Sequence, residues 1–464
     1  LHGQRRPSPA RFSTSRGGWV MLEIAERALK LTKKSGADGA EAFVSENLVT
    51  TVRIAASRVV ETKKVFDYGI GLRAALGQKV GFACANSFSQ ELSERAVSIA
   101  RARPPNPDFN GFPGPTKPKK VRDIYDRALA ELQPARAAEL ADLILQAALD
   151  FDRRVGEASG ALNVVVERCA IANTNGLAAT DETTRIFGHL TVESRGVGGS
   201  EGAAWMGSTT LRGFDPSEVG KRAAELSVNS LSPKKIKPGK YDVILEPAAV
   251  AELFYYVFGY AVNGRDVHDR MSYFADKLGK VVAVEGLNVH DWGNMAGGLY
   301  SKTFDDEGVP TRRTPLIERG KLVGFVYDRN YAGKAKTDST GNGLRLIDMP
   351  GRYYGVEPSP YITNLAIEPG DFKREELIAD TGEGLLLSRI WYTYPITPQL
   401  GDFSTTSRCG FLIHKGEVVG AAQQVRIHEN LPRLIKQVTG IASDVKQAMP
   451  WGASAVINTP SLRF

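Results

Sequence analysis

Three phenols crowd into one hexapeptide, Tyr255-Tyr256-Val257-Phe258-Gly259-Tyr260, and from 248 to 262 the only other ionisable side chain is Glu252. A neutral phenol, with a pKa of about 10, is a poor metal ligand and no base at neutral pH. Hydrolytic zinc needs nitrogen, sulfur or carboxylate ligands and an open position for water, so nothing in this string can activate water. Taken alone, the tyrosines fit ordinary core aromatics. A second group is the acidic run Asp305-Asp306-Glu307, which has the residue types of a hard-cation site, although Arg312 and Arg313 nearby could equally neutralise it. Cys84, Cys169 and Cys409 and the few histidines lie too far apart for metal-ligand spacing or a disulfide framework, which suits a reducing cytoplasm. The densest glycine run, from Gly196 to Gly202, is followed by Ala203-Ala204-Trp205 and not by the helix and lysine of a phosphate cradle. A flexible loop or a site of close backbone approach is expected there.

These residues need elements to position them. Val243-Ile244-Leu245 reads as a buried strand, and Glu246-Pro247 turns it into a helix, because proline suits a first helical turn where its missing N–H is not needed. Apolar on nearly every face, that helix over 247–262 is expected at the centre of a domain. Upstream, Leu22, Ala25 and Leu29 fit an amphipathic helix over 21–34 closed by Ser35-Gly36. Strand-like segments follow at 40–45, 50–55, 65–75 and 79–84, then a helix from Ser89 to about 101. A helix over 134–151, strand-like stretches at 162–166, 169–173 and 185–194 with Asn175-Gly176 as a turn, and a helix over 216–227 make up the middle of the chain. Beyond the central helix the pattern is largely strand-like.

A chain of 464 residues, 42% hydrophobic and 24% charged, has material for two or three domains. The expected fold class is α+β, with N-terminal and middle mixed α/β layers followed by a β-rich C-terminal domain around a buried central helix. The boundaries fall at 21–103 for the N-terminal domain, 104–120 for a proline-rich linker, 121–232 for the middle domain and 233–464 for the C-terminal domain. Residues 1–20 carry Arg5, Arg6, Arg11 and Arg16 among Ser and Pro with no acid, and are expected to be a disordered tail or sequence translated from upstream of Met21. No apolar run approaches the roughly 18 residues of a membrane span. A net charge of +7 is a mild excess over this length, and the basic run of Lys117, Lys119 and Lys120 has no interleaved aromatic platform, so nucleic acid is not favoured as a partner.

Several strings in order along 22–464 resemble the TldD/PmbA family. They include Ala37-Asp38-Gly39-Ala40-Glu41, Phe304-Asp305-Asp306-Glu307-Gly308-Val309-Pro310-Thr311-Arg312-Arg313, Thr340-Gly341-Asn342-Gly343 and Ile362-Thr363-Asn364-Leu365-Ala366-Ile367-Glu368-Pro369-Gly370. Active members of the family carry His-Glu-x-x-x-His on the central helix. Registered through Lys277-Leu278-Gly279-Lys280-Val281-Val282-Ala283, the resemblance puts Tyr255 and Tyr260 at the histidines, Tyr256 at the glutamate, and a third ligand, a cysteine, near Gln447 or Ala448. These become degenerate metal-site positions, and the resemblance implies the TldE or PmbA branch, with no catalytic or metal-binding residue and no cofactor in this chain. It further implies a zinc-bearing TldD-like subunit as partner, a homodimer when alone, and unfolded peptide as the substrate of a cytoplasmic peptidase. Ser200, Glu201, Gly202, Asp305, Gly341 and Asn342 are the peptide-binding or chamber-lining positions it supplies. The family's usual ending runs a few residues past Phe464. Two other readings stay open on the sequence: a stand-alone hydrolase with an unrecognised site, and a regulatory or binding module acting on a protein or nucleic-acid partner, as the family's old association with gyrase modulation suggests. Side chains five apart on an ideal helix point roughly 140° apart, so a ligand pair spaced like Tyr255 and Tyr260 converges only where the helix distorts. Gly259 keeps that distortion available, and the phenols are expected to fill the vacated pocket and bond to backbone or water.

Overall fold

The computed structural model describes residues 17–198, 200–346 and 351–464. Most of the tail expected over 1–20 lies outside the described residues, and its end belongs to the first helix, α1 (Gly17–Lys34), which starts ahead of Met21. Strands β1 (Gly39–Ala55), β2 (Arg58–Leu76) and β3 (Lys79–Ala85) and helix α2 (Gln90–Ala102) follow. After an irregular stretch and a short turn α3 (Arg127–Ala130) come α4 (Pro134–Leu149), β4 (Val155–Asn173), β5 (Ala178–Ser194), β6 (Ser200–Ser208) and α5 (Pro216–Asn229). The six strands form one antiparallel sheet in the order β3-β2-β1-β4-β5-β6. The segments expected as separate N-terminal and middle domains therefore share a sheet, because β1 pairs with β4 from Glu41↔Asn173 to Ile54↔Gly160.

Alternation along β1 explains the layering. Ala40, Ala42 and Val44 pack with Ala25 and Ala28 of α1 and Ala96 of α2. Val52 and Ile54, on the same face, pack with Leu140 and Ile144 of α4 and Val219 and Ala223 of α5. Four helices thus cover one face. Glu41, Phe43, Ser45 and Asn47 point to the other, which the C-terminal domain covers. Two strands expected over 40–55 are one, because the polar interruption is paired: Glu46 meets Arg168 at 2.6 Å, and Asn47 Nδ2 donates to the Arg352 carbonyl at 2.8 Å. The glycine-rich run is not a loop throughout. It turns at Gly196–Gly198 and then enters β6, where Gly202 lies against the α5 backbone at Ala223 and Ser227 too closely for any Cβ.

The C-terminal domain packs a central helix between two mixed sheets. Strand β7 (Asp242–Leu245) joins Glu383–Thr397, Asp402–His414 and Leu462–Arg463 in one sheet. Val289–Trp292, Asn364–Ile367, Val456–Thr459 and Lys446–Ala448 belong to the other. Helix α6 (Pro247–Leu253) opens with proline in its first turn and continues as a π-helical turn, Phe254–Phe258. Ala249, Val250, Leu253, Phe254, Val257 and Phe258 are buried in the same cluster as Leu385, Leu387, Leu365 and Ile457 from the two sheets. The helix ends one turn earlier than expected, and Gly259 N donates to Phe254 O at 2.8 Å, the i→i+5 bond of a π turn. Among the described residues no helix is long and apolar enough to cross a membrane.

Charges join the two halves. Arg73 on β2 pairs with Glu41 at 2.7 Å and with Glu307 at 3.2 Å, and Arg345 reaches Glu41 at 3.2 Å. Glu167 on β4 meets Lys302 at 3.1 Å, Arg352 at 3.2 Å and Arg185 at 3.3 Å, while Arg352 also reaches Asp181 at 3.0 Å and Asp306 at 3.3 Å. Arg345 and Arg352 are fully buried. The arginines that answer the acidic run are thus not its sequence neighbours, since Arg312 donates to the Ser339 carbonyl and Arg313 pairs with Glu368. Arg352→Met would leave the carboxylates of Glu167, Asp181 and Asp306 without their shared cation. It is expected to lower the unfolding free energy by about 3–5 kcal/mol, read from urea denaturation. A loss below about 1 kcal/mol would show that the network does not hold the halves together.

Candidate functional site

A cavity of about 430 Å³ lies where the helix-free face of the first sheet meets the C-terminal domain, within the size range of ligand pockets. Period-two spacing builds its first wall, since Arg185, Phe187, His189 and Thr191 are alternate residues of β5, and Ala203 and Trp205 lie beside Thr191 and His189 on β6. Ala248 and Glu252 enter from α6, Arg389 and Trp391 from the strand Glu383–Thr397, and residues 448–454 close the remaining side. Tyr300 and Lys302 stand at the end where the buried ion network begins.

The three tyrosines stand behind this cavity and not among its lining residues. Tyr255 Oη accepts from Ser454 N at 3.1 Å, and Tyr256 Oη donates to the Trp451 carbonyl, so both hold the segment that closes the cavity. Their rings meet edge to face with centroids 5.0 Å apart. Tyr260 Oη donates to Pro398 O at 2.9 Å, away from the other two. Burial pushes the Tyr256 and Tyr260 hydroxyls well above their ordinary value, which puts phenolate further out of reach. A zinc ion needs convergent, deprotonated donors. These three diverge and are committed to the main chain, so the residues present do not fit zinc. Among the described residues no group of three or more His, Cys, Asp or Glu side chains is placed to hold a metal ion.

None of the six chamber positions supplied by the family resemblance lines the cavity. Ser200 Oγ donates to the Ser227 carbonyl, and Gly202 packs on α5. Glu201 comes nearest, pairing at 2.6 Å with Arg408, whose guanidinium sits 4.9 Å from the ring centre of Trp391. Asp305 is fully buried, and its oxygens accept from the N–H groups of Glu307, Val309 and Gly343 at 2.9–3.0 Å, which fixes a turn. Gly341 sits at φ +77°, and Asn342 Nδ2 donates to Asp291 at 2.7 Å and Tyr361 O at 2.9 Å. These three organise the C-terminal domain from within.

The chemistry of the cavity comes from residues outside that set. Glu252 is 7% exposed, and burial pushes its carboxyl up to about 7, while the Arg389 charge and a Thr393 hydrogen bond pull the other way. Burial, aided by Arg389, pushes His189 down to about 4, so it is neutral near pH 7. The sequence marked Glu252 as the one acid of its helix. The Arg389 and Trp391 pair carried only the two-residue spacing common to any strand. Because the Glu252 carboxyl has its proton affinity raised on folding, its contribution is fully favourable below about pH 4.5 and is lost as pH rises through about 7. Glu252→Gln is therefore expected to leave stability little changed at pH 4 and to raise it by up to about 3 kcal/mol at pH 8, measured by denaturant titration at both pH values. A pH-independent difference would remove Glu252 as the cause.

Comparison with known proteins agrees with this architecture. The PmbA/TldA metallopeptidase C-terminal domain matches residues 238–464, its central domain matches 127–231, and its domain 1 matches 40–100. An uncharacterised protein of Methanocaldococcus jannaschii is 25% identical over 85% of this chain and 89% of its own. The metalloprotease PmbA of Escherichia coli O157:H7 is 24% identical over 92% of both chains. The crystal structure of TldE from Thermococcus kodakarensis superposes with a TM-score of 0.86 at 25% identity, covering 95% of this chain and 98% of that one. A putative modulator of a DNA gyrase from Thermotoga maritima shares the fold, with a TM-score of 0.84 at 23% identity over 95% and 98% of the two chains. Family matches covering most of the chain, together with the structural likeness, establish that it belongs to the PmbA/TldD metallopeptidase family.

Proposed function

We propose that this chain is the metal-free, TldE-like subunit of a cytoplasmic peptidase, pairing with a zinc-bearing TldD-like subunit and completing a chamber that holds unfolded peptide. The observation that carries this reading is the state of the central helix. At the positions where active relatives bear His-Glu-x-x-x-His, the side chains are phenols whose hydroxyls are spent on Ser454, Trp451 and Pro398. The rest of the architecture is intact, and the likeness to a TldE supports the assignment to the non-catalytic branch. Beside the cavity, β6 ends its sheet, and although side chains already engage the Ser200 and Glu201 carbonyls, an edge strand is the kind of element to which an extended peptide can add.

Elemental analysis of the purified chain is expected to find no stoichiometric zinc. Peptide cleavage should appear only when a relative bearing His-Glu-x-x-x-His is added. One zinc per chain, or cleavage by the chain alone, would sink the reading. The combined variant Tyr255→His, Tyr256→Glu, Tyr260→His should lose at least about 3 kcal/mol of stability, because polar groups replace packed aromatics and the tether to residues 451–454 is cut. It should also remain without hydrolase activity, as the family's third ligand position, near Gln447 or Ala448, offers no thiolate. Tight zinc binding and unaided cleavage by that variant would contradict the packing account.

A further inference from the structure

The cavity holds more polar chemistry than a chamber that merely grips backbone requires. Two of its cations, Arg185 and Lys302, are committed to Glu167. Arg389 is different. Its guanidinium lies 4.5 Å from the ring centre of Trp391 and makes no hydrogen bond or ion pair with any described residue. Glu252 shares the cavity and feels the Arg389 charge, but forms no ion pair with it. In the β6 wall the Nε1–H of Trp205 is buried and has no acceptor. A guanidinium stays protonated at any physiological pH, and this one, half-buried in the cavity wall, feels the charges of Glu252 and Glu201 with neither in an ion pair to it, while leaving the buried indole donor without an acceptor is unfavourable. Both therefore want an acceptor that enters from outside, and an anion answers the cation better than a neutral group does. Phe187, Trp391 and Trp451 add apolar surface around that point.

We propose that the cavity takes a peptide by a carboxylate, which pairs with the Arg389 guanidinium and accepts from Trp205 Nε1–H while a neighbouring apolar side chain packs among the tryptophans. The inference rests on the reading of this chain as a peptide-holding subunit and adds the chemical class that the cavity selects. The carboxylate is either a peptide's C-terminal group or an Asp or Glu side chain. Both present the same planar pair of oxygens to the guanidinium fork.

The test uses the full purified chain, intrinsic tryptophan fluorescence and calorimetry, with short peptides that share a central Phe. One has a free C-terminus and otherwise neutral side chains, the second is C-terminally amidated and carries Glu, and the third is amidated with Gln in place of that Glu. At least one carboxylate peptide is expected to bind about tenfold or more tightly than the Gln peptide, and the tighter arm identifies the source of the carboxylate. Arg389→Met should erase the difference, Arg389→Lys should retain part of it, and Trp205→Phe should weaken the carboxylate arm severalfold. Arg389 is half-buried and carries no ion pair, so Arg389→Met should fold, as a thermal melt will check. Equal affinity for acid and amide peptides would overturn the carboxylate assignment and leave peptide holding intact. No binding of any peptide by the folded chain would overturn both.

Discussion

The two halves of the molecule are docked through charge, and most of its architecture follows from that. The helix-covered sheet turns toward the C-terminal domain a face that carries Glu41, Arg73, Glu167, Asp181 and Arg185, where a sandwich would carry hydrocarbon. The C-terminal domain answers with Lys302, Asp306, Glu307, Arg345 and Arg352. The carboxylates match the cations one for one, so the face can be buried only in one register. Burial alone would push Glu167 upward, yet Lys302, Arg185 and Arg352 together pull it below the ordinary carboxylate range. Its charge is retained because three cations surround it. An apolar interface of the same extent would tolerate sliding, whereas a shift of a few ångströms here would strand ions in a low-dielectric space. The small apolar cluster of Phe43, Cys169, Ile171, Leu177 and Phe304 fills what the ions leave.

The central helix shows a second constraint, set by backbone geometry. Glycine at 259 allows the main chain to close an i→i+5 bond to Phe254, and a Cβ there would come within 2.7 Å of the Tyr255 carbonyl. The wider turn fans the side chains of 255 and 256 toward residues 451–454 and swings 260 toward Pro398. A helix of regular pitch would send these groups elsewhere. The distortion therefore has a structural use: it holds the segment that closes the cavity.

Local chemistry was legible in the sequence, and long-range pairing was not. Pro247 after a short apolar strand, Ser89 at the start of a helix and Asn175-Gly176 as a turn each act within a few residues, and each stands where the pattern placed it. The α+β class and the burial of the central helix follow from the same kind of signal. What the pattern could not carry is that β1 would find β4, which begins 100 residues after β1 ends, and so merge two expected layers. Nor could it show that Asp306 would be answered by Arg352 and Glu307 by Arg73, and not by Arg312 and Arg313. Charge neutralisation was a sound expectation, but the identity of the neutralising residue depends on topology. The cavity was hidden for the same reason. Its wall is an alternation at 185, 187, 189 and 191 on a strand, and alternation says which residues share a face without saying what covers it.

The ion network and the cavity meet at Glu167, Arg185 and Lys302, which belong to both. Docking therefore does more than join two halves, because the cavity exists only between them and its floor is drawn from the same ions. Glu167 keeps Arg185 and Lys302 satisfied, so they line the cavity without attracting an anion strongly. That saturation makes the remaining cation, Arg389, selective. If all three were free, the cavity would be a general anion trap, and if all three were paired it would be an apolar slot. With two answered internally and one left open against Trp391, the field in the cavity is directed at one point along its length.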